Sequence, residues 1–598
     1  MSILDTLKRE YVYFRGITKT LKQIGTIEPG TKRTVPDDFE ASVDKHKNNV
    51  AIRFEGKLFT YEELDARANQ YAHWALKQGY KPGDAVALFM ENKPDFVAFW
   101  FGLSKVGVVT ALINNQLQGQ GLAHCVNIAN AKALVIGPEQ ESLIDTAREM
   151  FTEGLEIWTI GGEVQGTTSM DPLFADLLTD RPDPAVRANM TVDDLCLFVY
   201  TSGTTGLPKA ARLTHARTLA MLNTFIAPCR ITPRDRIYQT LPLYHGTGGI
   251  CGVGQALMSG ASLILRRKFS ASAFWDEAIE ERATAFVYIG ELCRYLMNTQ
   301  PNPKEKQHSI RTGFGNGLRP EVWSRFEERF GINHLVEFYG STEGNVSFLN
   351  YDGKVGAVGR LPSYMESKIF TRIVKFDIAE KKPIRDADGF CIEADVNEAG
   401  EAIGLIGEGA RFDGYNDPEQ TEKKILRDVF EKGDMWFRTG DLLKKDEHAY
   451  IYFVDRIGDT FRWKAENVST NEVAEALAVF EGIKLPNVYG VAMPDTDGRA
   501  GMAAVTLDDT NSLDGAALAA HVDKFLPAYA RPIFIRVQPE AETTGTFKYR
   551  KVELVKDGYD LTKLKEGERI YVRLPGSDAY DILTPELQDK TDKGEINF

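Results

Sequence analysis

The sequence lacks the paired cysteines, the basic excess and the leader-like apolar start that would assign a chain of this size to several large classes. Its six cysteines, Cys125, Cys196, Cys229, Cys251, Cys293 and Cys391, include no CxxC pair. That spacing provides neither a zinc ribbon nor a disulfide scaffold and points to reduced thiols in a cytosolic setting. Positive charge is short as well, the formal net charge being -14. Nucleic-acid affinity comes largely from Lys and Arg neutralising phosphates, so an acidic chain fits that class poorly. The start, MSILDTLKREYVYF, has no signal-peptide core, because Asp5, Lys8, Arg9 and Glu10 interrupt every apolar run. Internal repeats and low-complexity tracts are also missing.

What is present is bulk. The 598 residues, 43% of them hydrophobic, exceed what one core usually supports and imply about two to four domains. One uncharged stretch, 237–265, is long enough to cross a bilayer. Its glycines, its proline and His245 lower its hydropathy, and it reads as a buried strand–loop–helix. Residues 3–23 read as a helix with Leu4, Leu7, Tyr11, Phe14, Ile17, Thr18 and Leu21 near one face and Lys8, Arg9, Arg15, Lys19 and Lys22 elsewhere. Such a helix suits either an anionic membrane surface or docking on the protein's own core. From about residue 50, apolar runs such as 86–90, 132–137 and 195–201 alternate with helical patterns such as 61–78. The latter is opened by the N-cap Thr60 with Glu63 three positions on. This alternation predicts an α/β fold with a large, mostly parallel sheet. The run 398–417 reads as strand and turns, and the last stretch of about 140 residues carries its own βαβ-like pattern. The expected division is an N-terminal amphipathic segment 1–30, a large domain 31–455 and a smaller α+β domain 456–598.

Binding a nucleotide's phosphates needs backbone N–H groups converging on anionic oxygens, which glycine-rich loops supply most easily. Thr201, Ser202, Gly203, Thr204, Thr205, Gly206, Leu207, Pro208 and Lys209 follow the strand-like LCLFVY with two glycines, four hydroxyls and a lysine. The lysine follows Pro rather than Gly, so this is not a Walker A loop.

The segment resembles the signature loop of the adenylate-forming superfamily, which includes acyl-CoA synthetases, nonribosomal-peptide adenylation domains and firefly luciferase. Further motifs of that superfamily follow in the same order. LPLYHGTG (241–248) resembles the motif at the acyl pocket, with His245 in the aromatic-or-His place. GNGLRPEVW (315–323) resembles the loop that approaches adenine, here Gly315, Asn316 and Gly317. FYGSTEGN (338–345) resembles the motif in which an aromatic, Tyr339, stacks on adenine beside Gly340. In that motif Thr342 would bind the α-phosphate and Glu343 would hold Mg²⁺. FRTGDL (437–442) resembles the segment whose Asp441 accepts from the ribose hydroxyls, and DRIGD (455–459) resembles the one that supplies a second ribose contact, here Arg456, and begins the hinge, near 456–459, of a mobile C-terminal domain. The implied chemistry is attack of a carboxylate on the α-phosphorus of ATP, giving an acyl-adenylate, with catalysis by positioning and charge stabilisation.

GNGLRPEVW, EFYGSTEGN, DRIGDTFRWKAENVSTNEV, TTGTFKYRKVELVKDGYD and IYVRLPGSDAYDILTPELQDK further resemble the fatty acid transport protein and very-long-chain acyl-CoA synthetase branch. The resemblance implies a ligase that uses ATP and Mg²⁺ to activate long- and very-long-chain fatty acids and transfers them to coenzyme A, in association with fatty acid uptake. It implies a cytoplasmic protein, peripheral on a membrane or free of it, with a homodimer open. Two departures stand out. The superfamily's T-G-K places the catalytic lysine directly after Gly, whereas here Gly545 is followed by Thr546, and Lys548 is the first lysine. Side chains two apart on a strand share a face, which keeps Lys548 eligible. Ala465 stands where the branch usually has a glycine bordering the pantetheine path. Ligation of another bulky acid (a bile acid, carnitine or an aryl acid), an acyl-AMP ligase serving a carrier protein, and a transport component without catalysis are the competing readings.

Overall fold

A computed structural model describes residues 3–201, 207–366, 368–378, 380–407, 409–464, 466–494, 498–508, 513–540, 551–596 and 598. Ser202, Gly203, Thr204, Thr205, Gly206, Ala465, Gly545, Thr546 and Lys548 lie outside the described residues. The chain divides into two compact units. The first comprises Met1–Leu318, Val322–Gly359 and Ile406–Ile425, and the second comprises Arg319–Glu321, Arg360–Leu405 and Leu426–Phe598.

The first unit is built on two sheets. In one, Ala131–Ile136, Ala85–Phe89, Val109–Leu112 and Leu195–Thr201 lie side by side and parallel, with Lys209–Thr214 closing antiparallel on the last. In the other, Leu335–Gly340, Thr312–Asn316, Ala285–Ile289, Arg236–Gln239, Ser262–Leu265 and Val50–Phe54 follow in that order, all parallel. The apolar runs are strands because both faces of a parallel sheet are covered. Every residue of Ala85–Phe89 is buried, where a one-sided sheet would alternate. The α/β expectation therefore holds. The stretch 237–265 is a strand, a π-helical segment Gly246–Gly252, a short helix Val253–Leu257 and a second strand. Among the described residues no helix is long and apolar enough to cross a membrane. All six cysteines are free and buried.

Helix Tyr61–Lys77 starts where its capping box places it. Thr60 accepts from the backbone N–H of Glu63, and the Glu63 carboxylate accepts from that of Thr60. Beside it runs helix Pro94–Lys105, whose last residue carries its ammonium into the interior. Lys105 Nζ lies 3.0 Å from Glu40 and 2.7 Å from Asn69 Oδ1, and it also pairs with Asp65. Arg187 and Arg181 complete the network through Glu40 and Asp65. Burial pushes the Glu40 carboxyl up, but the Arg187 hydrogen bond and the Lys105 charge outweigh it and hold it below the usual range.

The N-terminal helix, Ile3–Ile24, docks on this unit through Tyr13, Gly16 and Thr20. Tyr13 meets Tyr351 edge-on at 5.8 Å, and the Tyr351 hydroxyl donates to Thr20 Oγ1 at 3.2 Å. A Cβ at Gly16 would stand 2.4 Å from the Tyr351 ring, so only glycine admits this approach. The docked side is not the one that apolar spacing singles out. Leu4, Leu7, Tyr11, Phe14 and Leu21 all face outward.

The second unit contains an antiparallel sheet of Tyr450–Arg456, Met435–Lys445, Gly400–Leu405, Thr371–Asp377 and Lys382–Pro383. It also contains a five-stranded mixed sheet, Asn487–Val491, Ala500–Thr506, Phe534–Gln538, Arg569–Val572 and Asp581–Ile582, and two longer helices, Thr470–Ala478 and Gly515–Phe525. A boundary near Asp455 falls inside this unit. The buried Asp455 carboxylate accepts from the Thr470 backbone N–H at 2.6 Å and the Thr460 hydroxyl at 3.0 Å, tying the end of the antiparallel sheet to the residues that follow.

Removing one partner of a buried charge network leaves the others less fully compensated. Lys105→Met, which leaves Arg187 and Arg181 as the remaining cationic partners of Glu40 and Asp65, should lower the unfolding free energy by about 3 kcal/mol, the low end for a broken buried pair. Chemical denaturation measures this, and a change below about 1 kcal/mol would mean that the network contributes little.

Candidate functional site

Parallel strands deliver their following loops to one edge of a sheet. Arg236–Gln239, Thr312–Asn316 and Leu335–Gly340 are parallel strands of one sheet, and the motif residues His245, Gly317 and Thr342–Glu343 lie beyond their carboxyl ends. Thr201 ends the strand of the other sheet that leads into the glycine-rich loop, and Lys209 begins the strand that leaves it.

Several of these residues converge within the first unit. The Tyr415 hydroxyl donates to Glu343 Oε1 at 2.8 Å. Thr201 lies beside the same hydroxyl, and Lys209 Nζ sits 5.6 Å from the centre of the Tyr415 ring. Burial first, and the Glu343 charge second, push the Tyr415 phenol far above its ordinary value, so it remains a donor. Burial and the like charges of Lys424 and Lys423 push the Lys209 ammonium down, while Glu343 and Asp417 oppose them. A Cβ placed on Gly246 would lie 3.8 Å from Thr342 Oγ1, so the turn after His245 and the Thr342 segment are neighbours. His245 caps the π-helical segment, its Nδ1 accepting from the Thr247 backbone N–H at 3.4 Å.

Two further groups brace the 315–317 and 341–343 segments. Arg217, on helix His215–Asn223, donates to the Ser341 carbonyl at 2.7 Å, and burial pushes its guanidinium down. Glu337, fully buried in Leu335–Gly340, accepts from the Leu318 backbone N–H at 3.0 Å and the Tyr288 hydroxyl at 2.9 Å. It thereby pins the turn at Gly317, whose φ of 79° suits glycine. Asn316 and Gly340 are exposed at the ends of their strands, Gly315 is buried against Tyr288, and Tyr339 is buried with its ring 6.1 Å from Phe348.

The second unit holds the other two motif residues together. Asp441 and Arg456 face each other across adjacent antiparallel strands, with Arg456 Nε 3.9 Å from Asp441 Oδ1. The Thr439 hydroxyl accepts from the Asp441 backbone N–H at 3.1 Å. Arg456 is exposed and Asp441 half-buried, leaving both able to meet a polyol.

Among the described residues no cluster of three or more His, Cys, Asp or Glu could hold a metal ion. A single carboxylate such as Glu343 suits Mg²⁺ held largely by phosphate oxygens and water, because that ion needs few protein ligands. Tyr415, Arg217 and Glu337 escaped the sequence reading. Tyr415 was visible only as part of a glycine- and charge-rich turn, and nothing in the sequence marks Arg217. Glu337 did leave a signal as the lone acid within the apolar strand LVEFYG.

The family described as AMP-binding enzyme matches residues 39–386. Long-chain fatty acid transport protein 6 of Homo sapiens is 40% identical over 94% of this chain and 91% of its own length. Long-chain fatty acid transport protein 2 of Rattus norvegicus is 41% identical over 89% of this chain and 87% of its own. Among solved structures, the anthranilate CoA ligase AuaEII in complex with anthranoyl-AMP has a TM-score of 0.74 at 21% identity, covering 87% of this chain and 96% of that one. ATP-bound MatB from Rhodopseudomonas palustris has a TM-score of 0.73 at 24% identity, covering 88% and 100%. At those identities the likeness concerns the fold.

Burial is the main reason that the Glu337 pKa rises from 4.5 to about 8. The folded state then binds the proton more tightly than the unfolded state. The stabilisation is complete below about pH 4.5 and is lost as pH rises through about 8. Glu337→Gln should flatten the decline in unfolding free energy across that window, and an unchanged pH profile would contradict the assignment.

Proposed function

The chain belongs to the AMP-binding enzyme family, and on that premise we propose that it is an AMP-forming ligase joining a long- or very-long-chain fatty acid to coenzyme A. Supporting the acid class is the identity of about 40% with long-chain fatty acid transport proteins along nearly the whole chain. The observation that carries the chemistry is the meeting of Thr201, Lys209, Glu343 and Tyr415 at the entry and exit of the glycine-rich loop.

In the first half-reaction a carboxylate oxygen of the acid attacks the α-phosphorus of ATP. The bond to the bridging oxygen breaks and pyrophosphate leaves with its electron pair. Negative charge on the phosphate oxygens is met by Lys209, by the Thr342 hydroxyl and by Thr201, Ser202, Gly203, Thr204, Thr205 and Gly206 of the loop. Glu343 holds Mg²⁺, which when bound neutralises phosphate charge, and Tyr415 keeps that carboxylate aimed. Tyr339, Gly340, Gly315, Asn316 and Gly317 receive the adenine, Asp441 and Arg456 the ribose, and His245 borders the acyl chain. Lys548 bridges the carboxylate and the α-phosphate. In the second half-reaction the thiol of coenzyme A loses its proton and attacks the acyl carbonyl, and AMP leaves. A hinge at 456–459, with Gly458 absorbing the backbone change, turns the C-terminal residues between the two steps. Forming the thioester on the cytoplasmic side would trap the acid there and couple the reaction to uptake.

ATP–pyrophosphate exchange with a panel of acids, with and without coenzyme A, tests the reading. Long-chain fatty acids should drive exchange and yield thioester. Absence of exchange with every fatty acid would sink the proposal, and adenylate without thioester would favour an acyl-AMP ligase. Glu343→Gln should lower exchange by about 10²–10³-fold. Tyr415→Phe, which costs one charge-assisted hydrogen bond, should lower it by about tenfold. Lys548→Ala should lower it by about 10²-fold or more, and an unchanged rate would remove that lysine from adenylation.

A further inference from the structure

A helix docked on a protein ordinarily turns its apolar stripe inward. The N-terminal helix Ile3–Ile24 does the reverse. Its inward side is Tyr13, Gly16 and Thr20, held by Tyr351, with Gln23 donating to Asn223 at 3.1 Å. Leu4, Leu7, Tyr11, Phe14 and Leu21 are between 58% and 78% exposed, and their steps of three and four residues, with Thr18 between the last two, align them on one outward stripe. Scattered exposed apolar residues are ordinary on a protein surface, but a continuous stripe of five over the length of a helix marks an interaction site.

Charge identifies the partner. Lys8, Arg15, Lys19 and Lys22 are all exposed and flank this stripe. The acids of the helix are Asp5, which is exposed, and Glu10, which pairs with Arg9 at 3.2 Å. This local cationic excess stands on a chain whose formal net charge is -14. We propose that the outward stripe is a docking face for an anionic lipid bilayer. The helix lies in the plane of the headgroups, its five apolar side chains enter the acyl boundary, and its four cations meet lipid phosphates and carboxylates. A second copy of the chain is the lesser candidate, because it would bring four more cations to the same seam.

The docked side gives this face mechanical meaning. Asn223, which receives Gln23, ends the helix that also carries Arg217, the donor to the Ser341 carbonyl, and Met221, the neighbour of Gly246. One helix thus braces the membrane face on one side and the Thr342 segment on the other. The proposal goes beyond the ligase reading and does not rest on it.

The test is cosedimentation of the full chain with phosphatidylcholine vesicles, with and without phosphatidylserine, in the absence of acid and nucleotide. The wild type should partition onto vesicles containing phosphatidylserine. Combined Leu7→Ser, Phe14→Ser and Leu21→Ser should lower the partition coefficient by about a hundredfold or more. The melting temperature should not change, because these side chains already face water. Replacing Lys8, Arg15, Lys19 and Lys22 by Gln should weaken binding by about fivefold per residue on the anionic vesicles alone. Failure of the wild type to bind, or equal binding by the triple Ser variant, would overturn the proposal. So would a dimer in light scattering that the triple variant abolishes while neither protein binds vesicles, an outcome that assigns the stripe to a second copy.

Discussion

Burial of parallel sheets on both faces is the constraint from which the first unit follows. A strand such as Ala85–Phe89 can be apolar at every position because helices cover both of its sides. Parallel order then obliges the chain to cross over between strands, so successive loops emerge at the carboxyl ends on one edge. His245, Gly317 and Glu343 are far apart in sequence, yet they follow three strands of one sheet. The site edge is thus a by-product of satisfying the backbone hydrogen bonds of a buried sheet.

At that edge the polar groups are prepared before any substrate arrives. Tyr415 remains protonated and donates to Glu343, while Arg217 holds the Ser341 carbonyl and Glu337 the Leu318 backbone N–H. Groups already fixed in a desolvated place need not reorganise when charge builds on a phosphate, which is how such sites lower a barrier. The half-desolvated Lys209 shows the accompanying cost, its ammonium being less favourable there than in water.

Much of this was legible where the signal is local. Three apolar runs became strands because consecutive buried positions leave their mark in consecutive letters. Thr60 and Glu63 announced a helix start because a capping box spans four residues. The loop from Thr201 to Lys209 stood out by its glycines and hydroxyls. Signals that depend on distant partners were silent. Tyr415 reads as a turn residue until the fold sets it against Glu343, 72 positions away. The strands of residues 360–405 belong with the C-terminal unit through an antiparallel sheet whose register no composition shift betrays. The N-terminal helix inverted the ordinary inference from apolar spacing, because its docking rests on the absence of a side chain at Gly16 and on the rings of Tyr13 and Tyr351.

That last contact sets how little room the docking of the N-terminal helix leaves. Gly16 lies outside every motif tied to nucleotide or acid, and the tolerance at its Cβ position is smaller than a methyl group. The smallest possible enlargement there, a methyl group, would loosen the helix. The seating of a 22-residue helix is thus decided by a single hydrogen atom at Gly16.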